Sequence, residues 1–393
     1  MNHNSEKLMC VFIAVITIGC AGYICASGNS ISAIKRAELN RVARETISAE
    51  HIPAGQRLRL LNGYLADSTL SNDTRRLAAL ALSRMGEPAA VESVPRLVRQ
   101  LGDKDRTVIV WSAKALGKFG PLAADAAPAL ISLLDHSDAA PRNASIEALA
   151  QIGSSHPTVI PALVERIVQW RTTQSPDLLE SLEYVMDGLG QIGSDAASCI
   201  PALLRTVELR HERIRISSVA ALGQMGPTAD IAVPALVERL VFDDSAAVRD
   251  VAVTAISKVG PPAVPQLAKA LRANDDQARI AAITALALIG TPARAQLPTL
   301  ISATEDSSAE VALAAARAVQ SVSAGGIDVS PILLRSLADS DRQVRMQAAR
   351  MFSTIGPHGK TSTVRKALND LLKSANPGAK QAASKVLRDL FQQ

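Results

Sequence analysis

The sequence predicts an all-α protein: a right-handed α-solenoid of about ten antiparallel helix pairs that follow an N-terminal hydrophobic helix. The first observation is a repeat, since eight prolines recur at intervals of 31 to 40 residues and four of them open the phrase Pro-Ala-Leu. The second is composition, because only 3% of the chain is aromatic and short aliphatic side chains let helices pack closely. Such self-similarity is typical of solenoids, in which each repeat buries its apolar face against its neighbours. The prolines are Pro95, Pro128, Pro161, Pro201, Pro234, Pro265, Pro298 and Pro331.

Residues 226–260 show how one repeat is built. A first helix is expected over 229–242, where Pro234 would remove one backbone hydrogen bond and kink the helix. The polar turn at 243–245 offers N-cap oxygens to a second helix, expected over Ala246–Val259. The apolar residues of this second helix fall on one stripe, and a glycine ends it.

The same terminal glycine recurs in most repeats, and an arginine often stands eleven residues before it. Several of these arginines have an acid four residues earlier, as with Asp138 and Arg142, a spacing that favours an ion pair on one helix. Ile109 and Leu182 replace the arginine in two repeats. We expect a structural arginine ladder that braces the repeats, with an anion-binding ladder as the alternative. The glycines are Gly86, Gly120, Gly153, Gly193, Gly226, Gly260, Gly290 and Gly356, and the arginines are Arg75, Arg142, Arg215, Arg249, Arg279 and Arg345.

The proline of the first helix, the Asp-x-x-x-Arg of the second helix and the period near 33 residues resemble HEAT repeats. In particular they resemble the short bacterial type found in phycobilisome-lyase-like proteins. The resemblance covers about 52–390, and it implies that second helices line the concave face of the solenoid. A lyase-like subunit that handles a tetrapyrrole is an alternative function that this resemblance alone suggests.

The chain divides into a signal peptide or membrane anchor at 1–28, an N-terminal helix or linker at 29–51 and the repeat solenoid at 52–393. Residues 9–26 form a run of 18 residues without a charge, long enough for an uncleaved single-pass anchor. If this segment is retained, the basic residues that follow it favour a solenoid on the cytoplasmic side. A cleaved signal peptide followed by export and a lipoprotein modified at Cys20 are the alternatives. We therefore expect a membrane-associated protein.

Motifs for catalysis, metals and cofactors are weak in this sequence. The six histidines show no metal-ligand spacing, and Cys199 aligns with an alanine of the neighbouring repeat, so we expect it to be buried. The GxGxxG motif at 188–193 closes a helix, whereas a dinucleotide site needs it to open one. We predict no enzyme activity, no catalytic, cofactor-binding or metal-binding residues and no small-molecule substrate.

A candidate protein-binding site lies where the repeat is irregular. One proline interval grows to 40 residues near Trp170, and rare aromatic residues stand on the second helices nearby. Departures from a regular pattern are expected at functional sites, and aromatics are frequent in binding hot spots. The alternative is that these side chains fill a wider gap between layers. The predicted site residues are Trp111, Lys114, Glu183, Tyr184 and Asp187.

The charge pattern favours a protein partner. The net charge of +5 comes from 42 basic and 37 acidic residues, a small imbalance on a large surface. A nucleic-acid-binding solenoid, the second alternative function, needs a continuous basic groove, and acids such as Glu147 and Asp250 interrupt the expected one. We therefore predict a non-catalytic scaffold or adaptor that binds another protein and reaches a membrane through 9–26.

Overall fold

The structure, a computed structural model, describes residues 33–48, 52–85, 87–352, 354–355 and 359–391. These residues form helices joined by short turns, and no strand occurs among them, which confirms the predicted all-α class. They fall into two compact units, divided between Ile192 and Gly193. The expected N-terminal hydrophobic helix lies outside the described residues. Within the described part of the chain, no helix is long and apolar enough to cross a membrane.

Unit 1 contains a leading helix and four helix pairs. The leading helix, α1 (Ala33–Ser48), packs against the first pair and buries Ala43 and Ile47 there. The second helices of successive pairs pack side by side. The pairs are α2 (Ala54–Ala66) with α3 (Asn72–Arg84), α4 (Glu87–Gln100) with α5 (Arg106–Phe119), α6 (Ala127–Ser132) with α7 (Ala139–Ile152), and α8 (Val159–Trp170) with α9 (Pro176–Ile192).

Unit 2 contains six pairs, so the described residues hold the predicted ten. Here too the second helix of each pair packs against the second helix of the next. The pairs are α10 (Ile200–Leu204) with α11 (Glu212–Gln224), α12 (Val233–Phe242) with α13 (Ala246–Val259), α14 (Val264–Ala270) with α15 (Asp276–Ile289), α16 (Leu297–Ala303) with α17 (Ala309–Val322), α18 (Ser330–Leu337) with α19 (Arg342–Phe352), and α20 (Ser362–Leu371) with α21 (Pro377–Phe391).

Most repeat prolines open an α-helix instead of interrupting one. A 3-10 turn, Gly226–Ala232, precedes α12, and Pro234 lies in the first turn of α12. The expected helix over 229–242 was too long at its start, because Ala229 has non-helical dihedrals of φ −90° and ψ 25°. In a first turn the missing N–H costs no hydrogen bond, so the predicted kink at Pro234 is wrong. Pro95 differs, since it lies inside α4.

A glycine with positive φ ends most second helices. The predicted second helix over Ala246–Val259 is confirmed as α13, and the N–H of Gly260 donates to the carbonyl of Ile256 at 2.9 Å. Gly260 has φ 80°, a conformation that strains any residue with a Cβ. The same conformation occurs at Gly120, Gly153, Gly193, Gly226 and Gly290. The predicted terminal glycines at 86 and 356 lie outside the described residues.

Neighbouring second helices approach closely through small residues. A Cβ on Gly223 of α11 would lie 2.5 Å from the Cα of Ala255 in α13, and a Cβ on Gly117 of α5 would lie 2.9 Å from the Cα of Ala148 in α7. Glycine is therefore required at both points, and it sets the spacing of the layers. The apolar stripe of α13 is buried as predicted, at Val248, Ala252, Ala255, Ile256 and Val259.

Candidate protein-binding surface

The ladder arginines tie each second helix to the turn that precedes it. In five repeats the Nη1 group donates to the carbonyl oxygens six and five residues earlier, at 2.6 to 3.4 Å. These hydrogen bonds satisfy carbonyls that the turn itself leaves without a backbone donor. The five residues are Arg142, Arg215, Arg249, Arg279 and Arg345.

Some ladder arginines also reach a carboxylate in the next repeat. Arg215 forms two hydrogen bonds of 2.8 Å with Asp243, whose side chain is 1% exposed. Burial raises the pKa of Asp243, but the hydrogen bonds from Arg215 and from the N–H of Ser245 outweigh burial, so the pKa lies below its ordinary value. Arg279 and Asp306 repeat this geometry at 3.1 Å, and Arg75 pairs with Asp103.

The acids four residues before the arginines have another role. Asp138 accepts a hydrogen bond from the N–H of Ala140 and pairs with Arg106 at 3.0 Å, and both contacts lower its pKa. Asp275 likewise caps α15, through the N–H of Ala278. In the described residues these acids therefore cap helices, and the ion pair expected between Asp138 and Arg142 does not form, because Arg142 points back to the preceding turn.

The long repeat is stabilised by a buried polar network. Arg142 donates to Ser181 at 2.9 Å and to the carbonyl of Asp177 at 3.2 Å, and Ser181 donates to Asn143 at 2.6 Å. Asn143 is buried by these contacts. Trp170 is also buried, with the Arg142 guanidinium 6.0 Å from its ring centre. Part of the excess length lies in α9, which has 17 residues compared with 14 in α7.

Trp111 lies on α5 between two cations. The Arg76 guanidinium is 5.4 Å and the Lys114 ammonium 5.8 Å from the centre of its ring. Trp111 is half-buried and Lys114 is exposed. Contacts of this kind hold the ring in place while part of it stays accessible to solvent.

Glu147 of α7 connects this basic end to an acidic end on α9. Its carboxylate lies 3.8 Å from the Lys114 ammonium, and both side chains are accessible to solvent. Burial raises the pKa of Tyr184, and the charge of Glu147 raises it further, together with those of three acids on α9 itself. The three acids are Glu180, Asp187 and Glu183.

These contacts bring the five predicted residues into one continuous surface across α3, α5, α7 and α9. Sequence reasoning did not include Arg76 or Glu147 in the predicted site, although each stands in helical register with a predicted residue. Glu183 and Asp187 make further polar contacts within the fold. We call this surface the α3–α9 face, defined as Arg76, Trp111, Lys114, Glu147, Glu183, Tyr184 and Asp187.

Chemical groups for catalysis are sparse. The residues that the structure describes contain no cluster of histidine, cysteine or acidic side chains that could hold a metal ion. Cys199 is fully buried, and burial raises the pKa of its thiol to about 12. Gly188 and Gly190 of the GxGxxG motif are buried in the C-terminal part of α9.

Layered helix pairs with capped second helices define an α-solenoid. Comparison with protein families identifies the type of repeat from which it is built. The family model for HEAT repeats matches residues 94–174, 233–319 and 297–388, more than half of the chain. The chain belongs to the HEAT-repeat family. The closer resemblance to phycobilisome-lyase-like proteins is not confirmed. No curated protein matches the sequence.

Solved structures of karyopherins share the fold. Kap121p bound to Nup53p has a TM-score of 0.60 at 13% identity, covering 99% of this chain and 46% of that chain. Kap121p alone has a TM-score of 0.59 at 14% identity, covering 89% and 43%. Importin beta has a TM-score of 0.53 at 16% identity, covering 96% and 58%. The chain thus spans about half the length of these karyopherins, and at such low identity the likeness shows the fold alone.

Proposed function

We propose that this chain is a non-catalytic scaffold that binds another protein through the α3–α9 face. The observation that carries the proposal is the pair of half-buried aromatics, Trp111 and Tyr184, joined by the Lys114–Glu147 contact. Aromatic residues are scarce in this chain, and large amphipathic rings at an accessible surface are typical of binding hot spots.

The charges of the α3–α9 face support a protein partner. Arg76 and Lys114 make one end basic, whereas Glu183 and Asp187 make the other acidic. A nucleic-acid backbone would be attracted to the first end and repelled by the second. A protein surface can match both ends, and opposite charges at the rim steer its orientation.

The HEAT-repeat fold supports the same function. Such solenoids present long surfaces made of repeated helices, and they are typical of protein-interaction scaffolds. Among the solved structures that share the fold, Kap121p is bound to Nup53p in one and Kap95p binds RanGDP in another. A scaffold acts by binding alone, so this function requires no nucleophile, general base or metal ion.

We further propose that residues 9–26 bring the scaffold to a membrane. Their uncharged 18-residue run and the basic residues after it support this placement. Fractionation of cells that express the full chain, compared with a version that starts at Ser30, tests it. A full chain that is wholly cytosolic, like the shortened one, would contradict it.

Charge reversal tests the binding surface. The double variant Glu183→Lys/Asp187→Lys should lose the partners that the unaltered chain captures from membranes, because it inverts the acidic end of the α3–α9 face. The matched control is Asp244→Lys/Asp250→Lys, which reverses two exposed acids in unit 2. Thermal melting establishes that both variants are folded. Capture that survives the first double change in a folded protein would rule out this surface.

A further inference from the structure

A second charged surface lies in unit 2, between α19 and α21. It is a groove of about 330 Å³. Four basic side chains line it, together with small and apolar residues. The basic residues are Arg342, Arg345, Lys385 and Arg388, and the others include Met346, Ala349, Gly378 and Ala382.

In the part of the chain that the structure describes, Arg345, like Arg142 and Arg249, lacks the carboxylate partner that Arg215 has. In the Arg215 repeat, Asp243 accepts from Arg215 and also from the N–H of Ser245. In the Arg345 repeat, Ser374 takes the equivalent place, since its hydroxyl accepts from the N–H two residues later, that of Asn376. A serine cannot neutralise a guanidinium. Among the described residues, no carboxylate lies within ion-pair distance of Arg345.

The guanidinium of Arg345 is held at the groove although it has no carboxylate partner among the described residues. Its Nη1 group still donates to the carbonyls of Asp339 and Ser340, both at 2.7 Å. It lies against Gly378, where a Cβ would come within 2.6 Å of Cζ. The glycine leaves room for the guanidinium, so the cation is fixed in position and lines the groove.

The other three cations of the groove are exposed and likewise have no ion pair among the described residues. Four positive charges around one concavity repel one another, and a ligand with several carboxylates relieves that repulsion. Arginine pairs with carboxylates through two parallel hydrogen bonds. Met346, which is 36% exposed, and the two alanines provide an apolar floor for the methylene groups of acidic side chains.

We propose that this groove binds an acidic peptide segment of a protein partner. Its lining contains no aromatic side chain on which a nucleic-acid base could stack. The proposal does not depend on the α3–α9 face, which belongs to unit 1.

A short acidic peptide tests the proposal directly. Fluorescein-labelled hexaglutamate is titrated with the full chain and followed by fluorescence anisotropy, with hexaglutamine as the uncharged probe. We expect salt-sensitive binding of hexaglutamate alone. The variant Lys385→Gln/Arg388→Gln should weaken it roughly tenfold, because two carboxylate contacts are lost. These exposed changes leave the structural arginine, Arg345, in place.

The matched control is Lys366→Gln/Lys373→Gln, which removes two exposed cations outside the groove lining. It should bind hexaglutamate within about twofold of the unaltered chain. Equal weakening by the two double variants would show a non-specific charge effect and overturn the proposal. So would unchanged binding by Lys385→Gln/Arg388→Gln. Tighter binding of a hexathymidine oligonucleotide or of phosphatidylserine vesicles, lost in the same variant, would also overturn it, in favour of a phosphate ligand.

Discussion

Arg215 and Asp243 form a buried, bidentate ion pair between consecutive repeats, with both N···O distances at 2.8 Å. Asp243 also accepts from Arg249, but through its carbonyl oxygen, at 2.6 Å. One aspartate therefore connects two ladder arginines, and it stands at the turn between α12 and α13. The contact is a structural brace whose carboxylate comes from the next repeat.

The two ladder arginines that contact Asp243 should differ in their contribution to stability. Arg215→Ala leaves a buried carboxylate with weaker partners and should cost about 2–3 kcal/mol of unfolding free energy. Arg249→Ala removes only hydrogen bonds to two carbonyls and should cost about 1 kcal/mol. Urea unfolding followed by circular dichroism measures both. If Arg249→Ala lost as much unfolding free energy as Arg215→Ala, or more, the ion pair between Arg215 and Asp243 would add no stability.

Acid should destabilise the solenoid through the cross-repeat carboxylates. The pKa values of Asp103, Asp243 and Asp306 are held below the ordinary 3.8, in each case because hydrogen bonds and positive charge outweigh burial. A folded pKa below the unfolded one gives stability that is full above the unfolded value and is lost as pH falls through the folded value. Unfolding free energy measured from about pH 6 down to about pH 3 should therefore fall.

Asp243→Asn supplies the control for this pH dependence, since the amide cannot titrate. The variant should be less stable at neutral pH and should lose less stability on acidification. Parallel pH profiles for the variant and the unaltered chain would contradict the assignment.

Two glycines in helices should respond oppositely to alanine. Gly223→Ala places a methyl group 2.5 Å from the Cα of Ala255, so the layers must shift, at a cost of about 1–3 kcal/mol. Gly63 of α2 is exposed and has nothing within 4 Å of the added methyl group. Gly63→Ala should therefore stabilise the chain by about 0.5–1 kcal/mol. Thermal melting of both variants checks the two signs, and stabilisation by Gly223→Ala would refute the close helix contact.

Cys199 should be inert to thiol reagents in the folded protein. The side chain is fully buried, and its pKa of about 12 leaves almost no thiolate at neutral pH. A version that starts at Ser30 contains no other cysteine, so the measurement is unambiguous. A coloured disulfide reagent should react with it only after denaturant is added. Rapid reaction without denaturant would mean that the repeat opens locally.

Local signals predicted the helices well and the long-range contacts less well. The bounds of α13 follow from its N-cap turn, apolar stripe and terminal glycine, all of which lie within one repeat. The start of the first helix of the same repeat was placed too early, at Ala229, because a 3-10 turn there contains the same kinds of residue as an α-helix and cannot be told from one by composition. The partner of Arg215 was missed because Asp243 is 28 residues away, and only the layer spacing brings the two together.

The candidate surface shows the same limit. Helical register identified Trp111 and Tyr184 as candidate site residues. It did not identify Arg76, which contacts Trp111, or Glu147, which lies near Tyr184, because both come from neighbouring repeats. Asn143 is buried through a similar contact between repeats, since it accepts a hydrogen bond from Ser181 of the longer α9. Which residues of adjacent layers meet depends on their relative offset, and a single sequence does not specify that offset.

Site-specific photocrosslinking tests the central claim, that the α3–α9 face binds a protein. Benzoylphenylalanine is placed at Tyr184 and, as a control, at Phe242, an aromatic that is 75% exposed at the end of first helix α12. On irradiation in cells, the probe at 184 should give an adduct of one defined mass, and the probe at 242 should not. Adducts only at 242, or the same adducts at both positions, would contradict the claim.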